Sequence, residues 1–529
     1  MHLMFDLPKD KLIWDVGHQS YTHKILTGRR EGFDDLRKYG GMSEFPKRKE
    51  SECDAFDTGH SSTSISAGLG YVHARDLKGE DYHVVSVIGD GSLTGGMAYE
   101  ALNNAASLKT NFIIVLNDNH MSISENVGGM SQYLARLRTA DIYTGLKKGV
   151  TNALQTVPVV GDRMIEQIRK TKNSIKQLVV PGMLFEDMGI TYLGPLPGHN
   201  IPLLCRAFRE AKKMEGPVLL HVMTKKGKGY APAEEQPDKF HGVGPFEVRT
   251  GEVNEPKKKD TYTDVFGKVL CDAASENKKI TAITAAMADG TGLKRFAHMF
   301  PDRFFDVGIA EGHGVTFAAG LAAGGMKPVF AVYSSFLQRG YDQIIHDVAL
   351  QNLPVVLAVD RAGLVGSDGE THQGIFDLSY LGSTPNMTVM APKHKWELAD
   401  MLRFALSYDG PIALRYPRGT AYDGFEEYRA PIVYGKSEMI VREKDIALLP
   451  AGHMFEEAVK IRELLKERGY SCTLVNARFV KPIDEDMIRE LSKDHDWIVT
   501  LEENVQTGGF GERVQAFACR ENLPVRVLV

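Results

Sequence analysis

Short runs of β-branched and aliphatic residues recur along the chain, each followed by a longer stretch with helical spacing. Val84–Ile88, Phe112–Leu116, Val218–Val222, Ile280–Thr284, Val329–Tyr333 and Val355–Val359 predict buried parallel strands. A strand covered on both faces reads as continuous apolar sequence rather than as alternation. Gly95–Ser107 has the spacing of an intervening helix. This βαβ rhythm predicts an α/β fold with doubly wound, mostly parallel sheets. It repeats near the C-terminus as an Ile446–Leu449 strand, a Met454–Arg468 helix, and Cys472–Val475 and Trp497–Leu501 strands. Gly508–Gly511 then opens a last helix, and the sequence ends on the strand-like Pro524–Val529.

Two seams divide this pattern. Glu255-Pro256-Lys257-Lys258-Lys259-Asp260 is a polar, proline-bearing linker, and a new strand set begins after Asp423–Pro431. Three domains are expected: 1–258, 259–428 and 429–529. Residues 121–183 carry Gly128-Gly129 and then helical sequence with few strand signals, which predicts a mobile insertion or lid. A closing strand with nothing to cover it predicts that the third domain is incomplete.

Composition fits a large globular protein. Of 529 residues, 43% are hydrophobic and 25% charged, which excludes wholesale disorder. With 63 Lys plus Arg against 68 Asp plus Glu, the net charge is −5. That is no electrostatic footprint for nucleic acid or an anionic membrane, and no apolar run reaches membrane-spanning length. Five widely spaced cysteines without a CxxC argue against a disulfide framework or zinc site and fit a reducing cytoplasm.

The sharpest chemical signal is Val84-Val85-Ser86-Val87-Ile88-Gly89-Asp90-Gly91, then a helix, then Phe112–Leu116 running into Asn117-Asp118-Asn119. Alone, an Asp-Gly after a strand is an ordinary turn. Here two successive parallel strands deliver Asp90 and Asn119 to their C-terminal ends, where open α/β sheets bind ligands. A carboxylate and an amide oxygen are hard donors suited to Mg²⁺, which keeps phosphate oxygens as further ligands. Gly91 lets the backbone approach a diphosphate, and a following helix N-terminus favours the anion.

These residues resemble the metal and diphosphate motif of thiamine-diphosphate enzymes. With Trp14-Asp15-Val16-Gly17-His18-Gln19, Gly59-His60-Ser61-Ser62-Thr63-Ser64 and Leu116–Ser124, the chain resembles the family of 1-deoxy-D-xylulose-5-phosphate synthases. These are transketolase-like enzymes at the entry to the non-mevalonate isoprenoid route, which also feeds thiamine and pyridoxal synthesis. The likeness implies a homodimer with a transketolase-like fold, the cofactors thiamine diphosphate and Mg²⁺, and the substrates pyruvate and glyceraldehyde 3-phosphate. It further implies Asp90, Asn119 and Met121 as metal ligands. His18, Gly59, His60, Ser61, Gly91, Ser92, Asn119 and Tyr230 would contact the cofactor.

The second half adds Phe305-Asp306-Val307-Gly308-Ile309-Ala310-Glu311 before a Gly/Ala-rich helix. By resemblance Glu311 is the carboxylic group set against the cofactor's aminopyrimidine, with Tyr333 and Phe336 packed around that ring. Taken alone, it is a helix N-terminal Glu complementing the dipole. Arg339 and Arg418 would hold the sugar phosphate, because a guanidinium meets phosphate bidentately. Tyr333, Asp368 and His372 would also face substrate. Glu311, His18, His241, His372 and Asp368 are the implied catalytic residues, since His shuttles protons near neutral pH. His23, His73, His83 and His453 match no motif and receive no role. Lys225-Lys226-Gly227-Lys228 reads as a strand-exit loop rather than a nucleic-acid site.

The pattern departs from the family at Gly312, where Gln is usual, and before Lys11, where helices bearing a substrate-facing His are expected. Two rivals share the motifs: two-carbon transfer between sugar phosphates, and a non-catalytic cofactor-binding remnant.

Overall fold

The computed structural model describes residues 1–18, 20–121, 127–139, 184–242, 244–253, 260–366 and 369–529. Most of the 121–183 segment, most of the Glu255–Asp260 seam, and Asp368 therefore lie outside the described residues. The chain forms two compact units, Met1–Val253 and Asn254–Val529.

The first unit is built on one parallel sheet. Its strands are β1 (Lys11–Trp14), β2 (Val84–Gly89), β3 (Phe112–Asp118), β4 (Thr191–Pro197) and β5 (Pro217–Met223), in the order β1-β2-β3-β5-β4. Alternate residues of β2 and β3 enter separate apolar clusters. Val84, Ile88, Phe112 and Ile114 pack with the helices Ser64–Lys78 and Gly96–Ala105, while Val85, Val87, Ile113 and Val115 pack on the opposite face. Strand residues point alternately to the two faces, so the continuous apolar sequence serves two layers. Within the 121–183 segment, Gly128–Thr139 is a helix whose Leu134 enters the first cluster.

The second unit holds two sheets. One is parallel through β6 (Ile280–Thr284), β7 (Phe304–Asp306), β8 (Lys327–Tyr333), β9 (Val356–Asp360), β10 (Thr388–Met390) and β11 (Ile412–Arg415). The other contains β12 (Glu438–Val441), β13 (Asp445–Pro450), β14 (Cys472–Asn476), β16 (His495–Leu501) and β17 (Arg526–Leu528). The short β15 (Phe479–Lys481) leaves the second set to pair antiparallel with β10 of the first. Residues 429–529 thus contribute a strand to the preceding sheet.

A buried ionic network joins the same two parts. Lys393 Nζ contacts Glu438 at 2.6 Å and Glu397 at 3.2 Å, and Arg478 Nε donates to Glu397 at 2.8 Å. All four side chains are almost fully buried. Two cations against two carboxylates leave no net buried charge, the condition under which such groups are tolerated.

Candidate active site

Because the strands of each sheet's centre are parallel, their exits line one edge. In the first unit β1 delivers Asp15 to His18, β2 delivers Asp90, β3 delivers Asn119, and β5 leads to Lys226. The turn after β1 needs Gly17. Its φ is +99°, and a Cβ there would stand 2.4 Å from Pro46 Cδ. The buried Asp15 carboxylate accepts the N–H groups of Ser62 at 2.8 Å and Ser64 at 3.1 Å. Burial raises its pKa, and those donors oppose the rise. Ser62 Oγ donates to Ser92 O at 2.7 Å. One carboxylate thereby ties the Gly59-His60-Ser61 loop to the exit of β1, and Ser62 ties it to Gly91-Ser92. The helix after Gly91 is delayed: a single turn, Ser92–Thr94, comes first, and the long helix starts only at Gly96.

Asp90 and Asn119 meet at this edge. The Asp90 carboxyl accepts the backbone N–H of Asn119, and its pKa is pushed up to about 7 by burial and by the neighbouring Asp118. Asp118 behaves oppositely. Burial disfavours its charge, but His221 Nε2 at 2.8 Å and Arg138 Nη1 at 2.6 Å outweigh that and hold it ionised. Tyr192 Oη closes the chain on His221 Nδ1 at 2.7 Å. Asp118 is therefore held by Arg138 and His221 and also hydrogen-bonds the Asp90 carboxyl. Asn119 Oδ1 accepts the N–H of Met121 at 3.0 Å, which fixes the amide and holds Met121 beside it.

His18 and His241 come together from distant sequence, with ring centroids 5.3 Å apart. His18 keeps part of its surface exposed, and its pKa falls to about 4 through desolvation and Lys226. That of His241 falls to about 3 for the same two reasons, with His18 adding to the effect. Lys226 Nζ lies 2.8 Å from His241 Nδ1, and desolvation lowers its own pKa to about 8. Both imidazoles are neutral at pH 7. Tyr230 packs edge-on to Phe240, the neighbour of His241, and its hydroxyl donates to Val248 O at 2.9 Å. It braces the loop that carries His241.

The second unit gathers the other half of the predicted set. Glu311 opens the helix Glu311–Ala323 and is buried. Desolvation raises its pKa, with Arg339 opposing. At the exit of β8, Tyr333 stacks on Phe336 at 5.5 Å, and His372 meets Phe336 edge-on at 5.2 Å. Arg361, at the exit of β9, lies over the other part of this rack, 3.7 Å from the Tyr333 ring centroid. Arg418 is exposed beyond the exit of β11, on the same sheet edge.

The sequence comparisons agree along the whole chain. Residues 1–224 match the family model for 1-deoxy-D-xylulose-5-phosphate synthase. Residues 258–422 match the transketolase pyrimidine-binding domain and 435–528 the transketolase C-terminal domain. A 1-deoxy-D-xylulose-5-phosphate synthase of Lachnoclostridium phytofermentans is 58% identical over 99% of this chain and 84% of its own length. The chain belongs to the 1-deoxy-D-xylulose-5-phosphate synthase family. Synthases of Natranaerobius thermophilus and Desulforudis audaxviator are each 54% identical, over 97% and 99% of this chain and 82% of their own lengths. Membership makes this a thiamine-diphosphate-dependent transferase with a transketolase-like fold.

The residues present fit the synthase cofactor. Among the described residues no cluster of three or more His, Cys, Asp or Glu could hold a metal. One carboxylate and one amide oxygen instead suit a hard cation that takes its remaining ligands from a diphosphate. Lys226 adds positive charge beside them, and the buried Glu311 is suited to sharing a proton with a ring nitrogen. No local sequence signal marks Lys226 or Arg361. Lys226 was hidden in a basic run and Arg361 in a glycine-rich loop; only the fold brings them to the rings they touch.

Proposed function

We infer that the chain condenses pyruvate with glyceraldehyde 3-phosphate, giving 1-deoxy-D-xylulose 5-phosphate and carbon dioxide. The bond between C1 and C2 of pyruvate breaks, and C2 joins the aldehyde carbon. Thiamine diphosphate, when bound, supplies the electron sink that takes up the pair left by the departing carbon dioxide. Asp90, Asn119 and Met121 would hold Mg²⁺, and the Gly59–Ser61 and Gly91-Ser92 loops would seat the diphosphate. Glu311 would hold a proton at the aminopyrimidine, with the Tyr333–Phe336 stack beside that ring. Its buried carboxyl at a helix start beside Arg339 is the observation that best supports this reading.

The aldehyde oxygen becomes a hydroxyl and needs a proton. His18 and His241, neutral at pH 7, and His372 can each accept or pass one on. Arg339 and Arg418 would take the phosphate. We read the chain as three domains, 1–258, 259–428 and 429–529, working as a cytoplasmic homodimer. Five free cysteines support a reducing compartment, and no helix among the described residues is long and apolar enough to cross a membrane.

The test is donor choice. Pyruvate labelled at C1 should release labelled carbon dioxide in step with consumption of glyceraldehyde 3-phosphate. Two-carbon transfer from a ketose phosphate, without that release, would overturn the reading.

A further inference from the structure

The third sheet reaches into the loop that joins Arg361 to His372. Gly363 and Gly374 pair across this loop, with N–H···O distances of 2.7 and 2.8 Å in the two directions. Glu503 lies just beyond β16, and its Oε2 accepts the N–H of Leu364 at 3.1 Å. The same oxygen meets His453 Nε2 at 2.6 Å. Gly363 makes room for this contact: its φ is +83°, and a Cβ there would lie 2.0 Å from Glu503 Oε2. The returning arm is held from the same short segment. Val505 N–H donates to Ile375 O at 2.8 Å, and Arg415 Nη2 donates to both Gly374 O at 3.4 Å and Glu503 O at 3.1 Å. Asn504 Oδ1 accepts the N–H of Leu378 at 3.2 Å.

We propose that Glu503, oriented by His453, is a positioning residue that clamps the Gly363–Gly374 pair and so sets Arg361 and His372 against the Tyr333–Phe336 rack. The proposal rests on the reading of that rack as the cofactor and substrate face. Its logic is entropic. A loop with glycines at positive φ has much freedom to lose. Within the loop, Val365 N–H donates to Gln373 Oε1 at 2.7 Å and Gln373 Nε2 donates to Gly369 O at 2.6 Å, which ties the loop to itself. Glu503 is the contact that ties Leu364 to another sheet. Small misplacement of a positioning group costs far more in rate than in stability. The third sheet thereby acquires a part in the chemistry.

Three variants test this in the full chain loaded with thiamine diphosphate and Mg²⁺. Glu503→Ala should lower kcat/KM for glyceraldehyde 3-phosphate by about tenfold or more, with the melting temperature nearly unchanged. Glu503→Gln, which keeps an acceptor for Leu364 N–H, should recover most of that loss. His453→Ala should fall between them. Hydrogen exchange supplies a readout independent of turnover: amides at 362–366 and 369–374 should exchange faster in Glu503→Ala, and those of the Glu311–Ala323 helix should not change. Unaltered exchange in the loop, or Gln performing no better than Ala, would overturn the clamp. Absence of product from the unsubstituted chain would instead overturn the assigned reaction, leaving the exchange result to judge the clamp.

Discussion

His18 and His241 show how a cluster sets protonation where sequence motifs only suggest it. Their pKa values of about 4 and 3 follow from desolvation and from Lys226. In the unfolded chain each takes a proton below about pH 6.5; in the fold each waits until about pH 4 or 3. Between those values the unfolded state binds more protons, so stability falls as pH drops from about 6.5 towards 4. The melting temperature of the metal-free chain should therefore drop less steeply over that range in His241→Asn than in the parent; an unchanged slope would contradict the depressed pKa. Asp90→Asn should weaken Mg²⁺-dependent thiamine diphosphate binding by about tenfold or more, the usual cost of disturbing a metal's ligand environment. Calorimetry showing unaltered affinity would remove Asp90 from the metal site. Glu311→Ala should abolish turnover while circular dichroism and melting stay near those of the parent, and retained turnover would refute its role.

At the scale of elements, the central strands were legible because they are buried on both faces. Ile280–Thr284 has the bounds that its sequence predicts, and Phe112–Leu116 extends by only two residues. Two edge elements were hidden. β4 contains Gly194-Pro195, which reads as a turn, and the three-residue β15 carries no periodicity at all. The motif residues at strand exits were legible for the same reason as the strands, whereas Lys226 and Glu503 act through long-range contacts that no local pattern encodes. The helix Gly128–Thr139 illustrates such a contact. Its Arg138 reaches the fully buried Asp118, so Arg138→Ala leaves that carboxylate without its guanidinium. A loss of about 2–3 kcal/mol in denaturant unfolding of the chain is expected, and a loss below about 0.5 kcal/mol would mean that His221 alone suffices.

Across the whole molecule, the two sheets of the second unit share the Lys393–Glu397–Glu438–Arg478 network and the exchanged strand β15. Breaking a buried ionic network from one side costs about 3–5 kcal/mol because the partners remain charged. Glu397→Ala should cost that much, and probes on either sheet should report one shared unfolding transition. Two separated transitions in the parent chain would mean that the sheets are energetically independent despite the network.

The product tests the assigned reaction directly. The purified chain is incubated with pyruvate, glyceraldehyde 3-phosphate, thiamine diphosphate and Mg²⁺, and the mixture is read by mass spectrometry. A deoxypentulose phosphate that carries C2 and C3 of labelled pyruvate should form and be lost in Glu311→Ala. Bound cofactor with no such product, or a product formed equally by Glu311→Ala, would contradict that assignment.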